Sequence, residues 1–191
     1  MIAYALCGSF CTIARSLKVL RELRMKGEDL LPITSEILYE TDTRFATAGS
    51  VRRELEEITG RTVIHTVKDA EPLGPIIKPE LLVVAPCTGN TLAKIANGIT
   101  DTAVTMAVKS QLRSDCPVLI ALATNDGLSG NLANIAALVC RKNVYFGPIV
   151  QDDPVKKPHS LVADFSLLPH CIEALREGRQ IRPLFLTRGE E

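Results

Sequence analysis

Five consecutive apolar residues, Leu81-Leu82-Val83-Val84-Ala85, run into Pro86 and then into the turn Cys87-Thr88-Gly89-Asn90-Thr91. A run this short and this rich in Leu and Val predicts a strand buried on both faces, which Pro86 would stop. Beyond the turn the spacing changes, and Leu92, Ile95, Ala96 and Ile99 recur as the buried face of a helix. A strand that hands such a turn to a helix aims free backbone N–H groups outward from the carboxyl edge of a sheet. Phosphate, a carboxylate or the polar edge of a cofactor suits that position. A plain capped connection uses the same residues, and this stretch alone leaves both readings open.

The alternation continues along the chain. Residues 2–6 read as a strand, Cys7-Gly8-Ser9-Phe10-Cys11-Thr12 as a loop, and Ile13, Leu17, Leu20 and Leu23 as a helix ending near Lys26-Gly27. The Gly8-Ser9 turn lets a ligand approach the backbone, while the absence of GxGxxG disfavours a conventional NAD site. Residues 30–34 form the next expected strand, ending in the hydroxyls of Thr34 and Ser35, which would hold a phosphate or cap the next segment. Residues 36–47, with Arg44, read as a loop across the carboxyl edge. Val51, Leu55 and Ile58 mark a helix closed by Gly60, and residues 62–67 a strand carrying His65, which reads as structural.

Pro72, Pro75 and Pro79 exclude a regular helix from residues 68–80. Asp101 is placed to cap a helix through Ala103, Met106, Ala107 and Ser110 toward Arg113. Residues 117–123 read as a strand ending in the polar turn Thr124-Asn125-Asp126-Gly127. A helix with Leu132, Ile135, Ala136 and Val139 follows, then a strand over 144–148. Residues 151–160 read as an extended polar loop, 167–177 as a helix, and 181–186, which contain Pro183, as an edge strand at most. Strands alternating with helices predict a parallel α/β sheet with its ligand crevice at the carboxyl ends. With no repeat or linker, residues 1–191 are expected to form one domain with a C-terminal loop-and-helix extension.

Composition narrows the function classes. Lys plus Arg and Asp plus Glu both number 22, which argues against a nucleic-acid surface. No apolar run approaches a membrane span, and no signal peptide opens the chain, so a cytoplasmic protein is expected. The six cysteines are scattered without a CxxC pair, which argues for reduced packing residues and no metal site.

Pro86-Cys87-Thr88-Gly89-Asn90-Thr91, followed by Lys94-Ile95-Ala96-Asn97-Gly98-Ile99 and Asp101, resembles the signature of the FMN-binding, cysteine-decarboxylase-type flavoproteins. The resemblance implies a three-layer Rossmann-like or flavodoxin-like fold, with helices on both faces of a parallel sheet. It also implies FMN against Gly8 and Ser9, its phosphate near Thr34 or Ser35. The flavin ring would then meet Pro86, Thr88 and Asn90 on one side and Asn125 on the other, with Thr91 also among the cofactor-binding residues. Asn125 matches the asparagine of the family's Pro-x-Met-Asn motif, although Leu122 and Thr124 stand where its Pro and Met belong. Where the decarboxylases carry a catalytic histidine, this chain has Pro72 or Pro75, so the resemblance assigns no catalytic residue.

Asp152-Asp153-Pro154, Lys156-Lys157-Pro158 and Ser160, together with Thr43-Arg44-Phe45 and Thr124-Asn125-Asp126, resemble one branch of that superfamily. This branch serves the oxidation of dihydrodipicolinate to dipicolinate during sporulation. It implies a small dicarboxylate substrate facing Asn125, a dehydrogenase-like partner subunit carrying NADP, and a homo-oligomer. A dicarboxylate needs cations, and Arg44, Lys156 and Lys157 lie on loops at the expected edge, although a solvated turn would use the two lysines equally well. A decarboxylase of a cysteinyl peptide or pantetheine precursor, a flavin prenyltransferase, and a non-catalytic flavin-binding assembly subunit remain as alternatives.

Overall fold

The computed structural model describes residues 1–187. The apolar runs become seven strands of one sheet, β1 (Ile2–Leu6), β2 (Leu30–Thr34), β3 (Leu81–Cys87), β4 (Val118–Thr124), β5 (Val144–Phe146), β6 (Ile149–Asp153) and β7 (Lys157–Ala163). They lie in the order β2-β1-β3-β4-β7-β6, with β5 also beside β4. The strands through β5 pair in parallel. The far edge of β4 is shared, with Val118–Ile120 pairing β5 and Ala123–Thr124 pairing β7.

Helices α1 (Ile13–Met25), α3 (Ala48–Thr59) and α8 (Leu168–Arg176) cover one face. Helices α5 (Gly89–Ala96), α6 (Ala103–Arg113) and α7 (Leu132–Val139) cover the other. Two short helices, α2 (Glu36–Glu40) and α4 (Val67–Ala70), complete the set. The period-two geometry of a strand divides β1 between the layers. Ile2, Tyr4 and Leu6 enter the first core, while Ala3, Ala5 and Cys7 enter the second.

Several expectations are corrected. The sheet is mixed rather than parallel, because residues 151–160 belong to an antiparallel β6–β7 hairpin instead of a loop. Asp152 and Lys157 join across that hairpin at 2.8 Å. Pro154 falls in its tip, and Pro158 in the stretch of β7 that runs past β4 and has β6 alone as a neighbour. Pro86 does not stop β3. The strand continues to Cys87, and the pairing with β4 shifts between Val84 and Cys87, which accommodates a residue without an N–H.

Residues 62–67 form no strand. Ile64 makes a single bridge to Ile33, and two residues later Thr66 already accepts the Asp69 N–H as the N-cap of α4. The first residues of 36–47 form α2 rather than loop, with Leu38 buried. Helix α5 ends at Ala96, since Gly98 takes φ +71° and turns the chain, leaving Ile99 half exposed. Asp101 pairs with Lys94, and the cap of α6 is Thr102, which shares a reciprocal capping box with Thr105. In α7 the buried positions are Ile135 and Leu138, while Leu132 and Val139 face outward.

Candidate functional site

The carboxyl ends of the parallel strands carry a crevice. Its larger cavity, about 760 Å³, is lined by Gly8 and Ser9 after β1, Thr88 and Asn90 after β3, Asn125 after β4, and hairpin residues including Lys157 and Ser160. A neighbouring cavity of about 510 Å³ lies toward β2 and includes Ser35, Thr91 and Lys94. Gly8, Thr88 and Asn90 line both, so the two are lobes of one crevice crossing the sheet from β2 to the hairpin. These volumes fall in the range of small-ligand sites.

Local rules explain most of the floor. The Thr88 hydroxyl accepts the Thr91 N–H at 3.2 Å, capping α5 and satisfying one of its free amides. The side chain of Asn90, beside it, is exposed toward both lobes. Gly89 is required by a close approach, because a Cβ there would stand 2.6 Å from Asn131 Nδ2 and 2.9 Å from Asp126 Oδ1. The hydroxyl of Ser160 donates to the Thr124 carbonyl at 3.2 Å, and the Leu128 N–H donates to the His159 carbonyl at 3.0 Å. Together these bonds fasten the hairpin to the turn after β4.

The β2 end behaves differently. Thr34 and Ser35 are buried, and their hydroxyls have no hydrogen-bond partner among the described residues. Ser35 occupies the N-cap position of α2 without making the cap bond, so the capping explanation of this pair fails. An unpartnered buried hydroxyl is costly, which suits a site completed by a ligand's acceptor oxygens. Charges nearby are already engaged, with Lys94 on Asp101 at 2.8 Å and Glu36 Oε1 accepting the Ala103 N–H at 3.1 Å.

Of the residues singled out from sequence, the structure brings Gly8, Ser9, Ser35, Thr88, Asn90, Thr91, Asn125 and Lys157 to the crevice. Thr34 lies one residue behind its wall, and Pro86 is buried inside β3, its carbonyl accepting the Cys7 N–H. Arg44 and Lys156 are elsewhere. Arg44 lies over the Phe45 ring at 4.8 Å, and Lys156 is exposed at the hairpin tip. None of the three histidines lines the crevice. His65 stacks on Tyr39 with centroids 3.6 Å apart, His170 contacts Glu173 at 3.3 Å on α8, and His159 is exposed on β7.

Sequence reasoning missed Asp126 and Asn131. The Asp126 carboxylate accepts from the Thr124 hydroxyl and from Asn131 Nδ2, and the Thr124 bond, with Asn131 behind it, holds the carboxyl below the usual aspartate range. The network continues outward. Asn134 Nδ2 donates to Asn131 Oδ1 at 2.9 Å, and Asn97 Nδ2 donates to Asn134 Oδ1 at 3.4 Å. Asn97, at the end of the signature, was the available signal. Beneath the floor lie Cys7, whose burial pushes its thiol up to about 11, and Cys87, which is raised well above the usual range by the same cause.

A model of the family described as Flavoprotein matches residues 1–151, the stretch that carries all of the crevice except its hairpin wall. The chain belongs to the flavoprotein family. Among curated proteins, this flavoprotein is 38% identical over 185 residues to the B subunit of dipicolinate synthase from Bacillus subtilis (strain 168), covering 97% of this chain and 92% of the relative. Among solved structures, the dipicolinate synthase B subunit from Bacillus halodurans C superposes with a TM-score of 0.90 at 36% identity, covering 98% of this chain and 96% of the other. The FMN-dependent cysteine decarboxylase SpaF shares the fold, with a TM-score of 0.62 at 22% identity over 88% of this chain and 91% of its own. The hairpin wall, from Asp152 onward, lies beyond the family-model match but inside the match to the dipicolinate synthase B subunits.

Among the described residues, no helix is long and apolar enough to cross a membrane, and no three His, Cys, Asp or Glu side chains gather as a metal site.

Proposed function

We propose that this flavoprotein binds FMN across the crevice and supports oxidation of dihydrodipicolinate to dipicolinate beside a dehydrogenase-like subunit that carries NADP. The observation that carries this reading is the difference between the two ends of the crevice. Ser35, its hydroxyl unpartnered, lines one end with the unpartnered hydroxyl of Thr34 one residue behind the wall, and a hairpin lying largely beyond the family-model match stands at the other. A phosphate would take the hydroxyl end, with Gly8 and Ser9 permitting close backbone approach. The ring would lie over Thr88 and Asn90 toward Asn125, and a small dicarboxylate would sit under the hairpin with Lys157. FMN supplies a two-electron acceptor when bound.

The chain's own residues shape the rest. Asn125 and Asn90 orient polar edges, Ser160 and Leu161 close one wall, and the Asp126–Asn131 bonds keep the turn fixed. Decarboxylation of a cysteinyl substrate, as in the decarboxylases that share the fold, would want a general acid–base group contributing roughly 10²–10⁴ in rate. No histidine lines this crevice, which favours the oxidation reading over that alternative. Flavoproteins of this fold include a dodecameric decarboxylase, and self-assembly is part of the proposal. The test is to supply dihydrodipicolinate and NADP to the purified chain with and without the dehydrogenase-like subunit. Dipicolinate is expected at full rate only with both. Full turnover by this chain alone, or carbon dioxide from a cysteinyl substrate, contradicts the proposal.

A further inference from the structure

The larger cavity does not end at the hairpin. Arg15, Asp152 and Val162 line both it and an adjoining hollow of about 620 Å³ bounded by α1, β6, β7 and the turn at Asp164–Ser166. Arg15 therefore stands on the first turns of α1 at the junction of two spaces, in the lobe that Ser35 does not line. The other charged groups of the larger cavity are engaged. Lys157 is paired with Asp152 at 2.8 Å, and Asp126 accepts from Thr124 and Asn131. Arg15 alone among them has no ion pair or side-chain hydrogen bond among the described residues.

We propose that Arg15 is the carboxylate receptor of the crevice, binding one carboxylate of a small planar dicarboxylate at the hairpin end. The inference rests on the dicarboxylate reading above and names the residue that makes it selective. A guanidinium presents two parallel N–H donors in a plane, which matches a carboxylate edge to edge as a lysine cannot. Asp152, which lines the same two spaces, is paired with Lys157 across the hairpin and makes no ion pair with Arg15 among the described residues. Arg15 replaces Arg44 and Lys156 as the cation expected from sequence, since neither of those lines the cavity. Helix α1 gives the guanidinium a rigid base, because Leu17, Leu20 and Leu23 anchor the helix in the core while Arg15 faces out.

The test is calorimetric titration of the full chain, saturated with FMN, using pyridine-2,6-dicarboxylate as the probe. Four proteins are compared, wild type, Arg15→Gln, Arg15→Lys and Lys18→Gln, each with a thermal melt to verify folding. Lys18 lines only the adjoining hollow and controls for a general charge effect. Arg15→Gln should weaken binding roughly 10- to 100-fold, Arg15→Lys by an intermediate factor, and Lys18→Gln by less than about twofold. If Arg15→Gln binds within about twofold of wild type, or if Lys18→Gln loses as much, the assignment of Arg15 is overturned while the dicarboxylate reading stands. If wild type itself fails to bind the probe at millimolar concentration, the dicarboxylate reading falls and this inference with it.

Discussion

Asn131 Nδ2 donates to both carboxylate oxygens of Asp126, at 2.9 and 2.8 Å, and so ties the residue before α7 back to the turn after β4. This bond, with the Thr124 hydroxyl on the same carboxylate, makes a polar turn rigid without a metal or disulfide. It also presents a wall to Gly89, the first residue of α5. Two loops from different strands are thereby locked at the centre of the crevice.

Gly89→Ala tests that lock. The new methyl would collide with Asn131, Asp126 and Thr124, all of which are held by one another. The expected loss is about 1–3 kcal/mol in urea denaturation, typical of overpacking, with weakened FMN binding. A neutral substitution would show that the turn can move aside.

Asp126 gives a pH prediction. Its folded carboxyl lies below the usual aspartate range because Thr124, and then Asn131, hydrogen-bond to the charged form. A depressed carboxylate contributes stability above its unfolded pKa of about 3.9, and that contribution is lost as pH falls through the folded value. Asp126→Asn should cost about 1 kcal/mol at pH 7 and flatten the fall in stability below about pH 4. Denaturation curves at neutral pH and on either side of the aspartate range measure both effects.

Thiol labelling separates the cysteines by place. Cys11 and Cys140 are exposed, whereas Cys7, Cys87 and Cys171 are buried, with thiols raised by burial to about 11 for Cys7 and about 12 for Cys171. Only the thiolate reacts quickly, so iodoacetamide should modify Cys11 and Cys140 first. Cys11 lines the crevice and Cys140 does not. Added FMN should slow Cys11 alone, as mass spectrometry of the peptides would show; equal slowing of both would place the ligand elsewhere.

Much of this arrangement is legible in the sequence because it is periodic. The runs at 81–85 and 118–123 are too short and too apolar for anything but buried strands, and the residues after each of them reach the same edge by topology. Non-periodic features were opaque. The β6–β7 hairpin carries Pro154, Pro158 and several charges, so its alternation is hidden until Asp152 meets Lys157 across it. Residues 62–67 have a strand's composition but make only one bridge to β2 before Thr66 starts a helix. Side-chain convergence is the hardest part to read. Arg15 looks like any outward residue of an amphipathic helix, and Asp126 like an ordinary turn residue, until the fold sets them around one cavity. Conversely, Arg44 and Lys156 had suitable chemistry on loops whose placement the sequence does not encode locally.

Phosphate recognition at the β2 end is tested by comparing FMN with riboflavin, which lacks only the phosphate, in calorimetry on wild type and on Thr34→Val/Ser35→Ala. The two hydroxyls are buried without partners among the described residues, so replacing them should leave the melting temperature unchanged or raise it. Wild type should bind FMN at least about tenfold more tightly than riboflavin, and the double variant should lose most of that margin, since hydrogen bonds to charged groups contribute roughly 1.5–3 kcal/mol each. Equal affinity for the two flavins, no heat with FMN, or an undiminished margin in the variant would contradict FMN binding across this crevice.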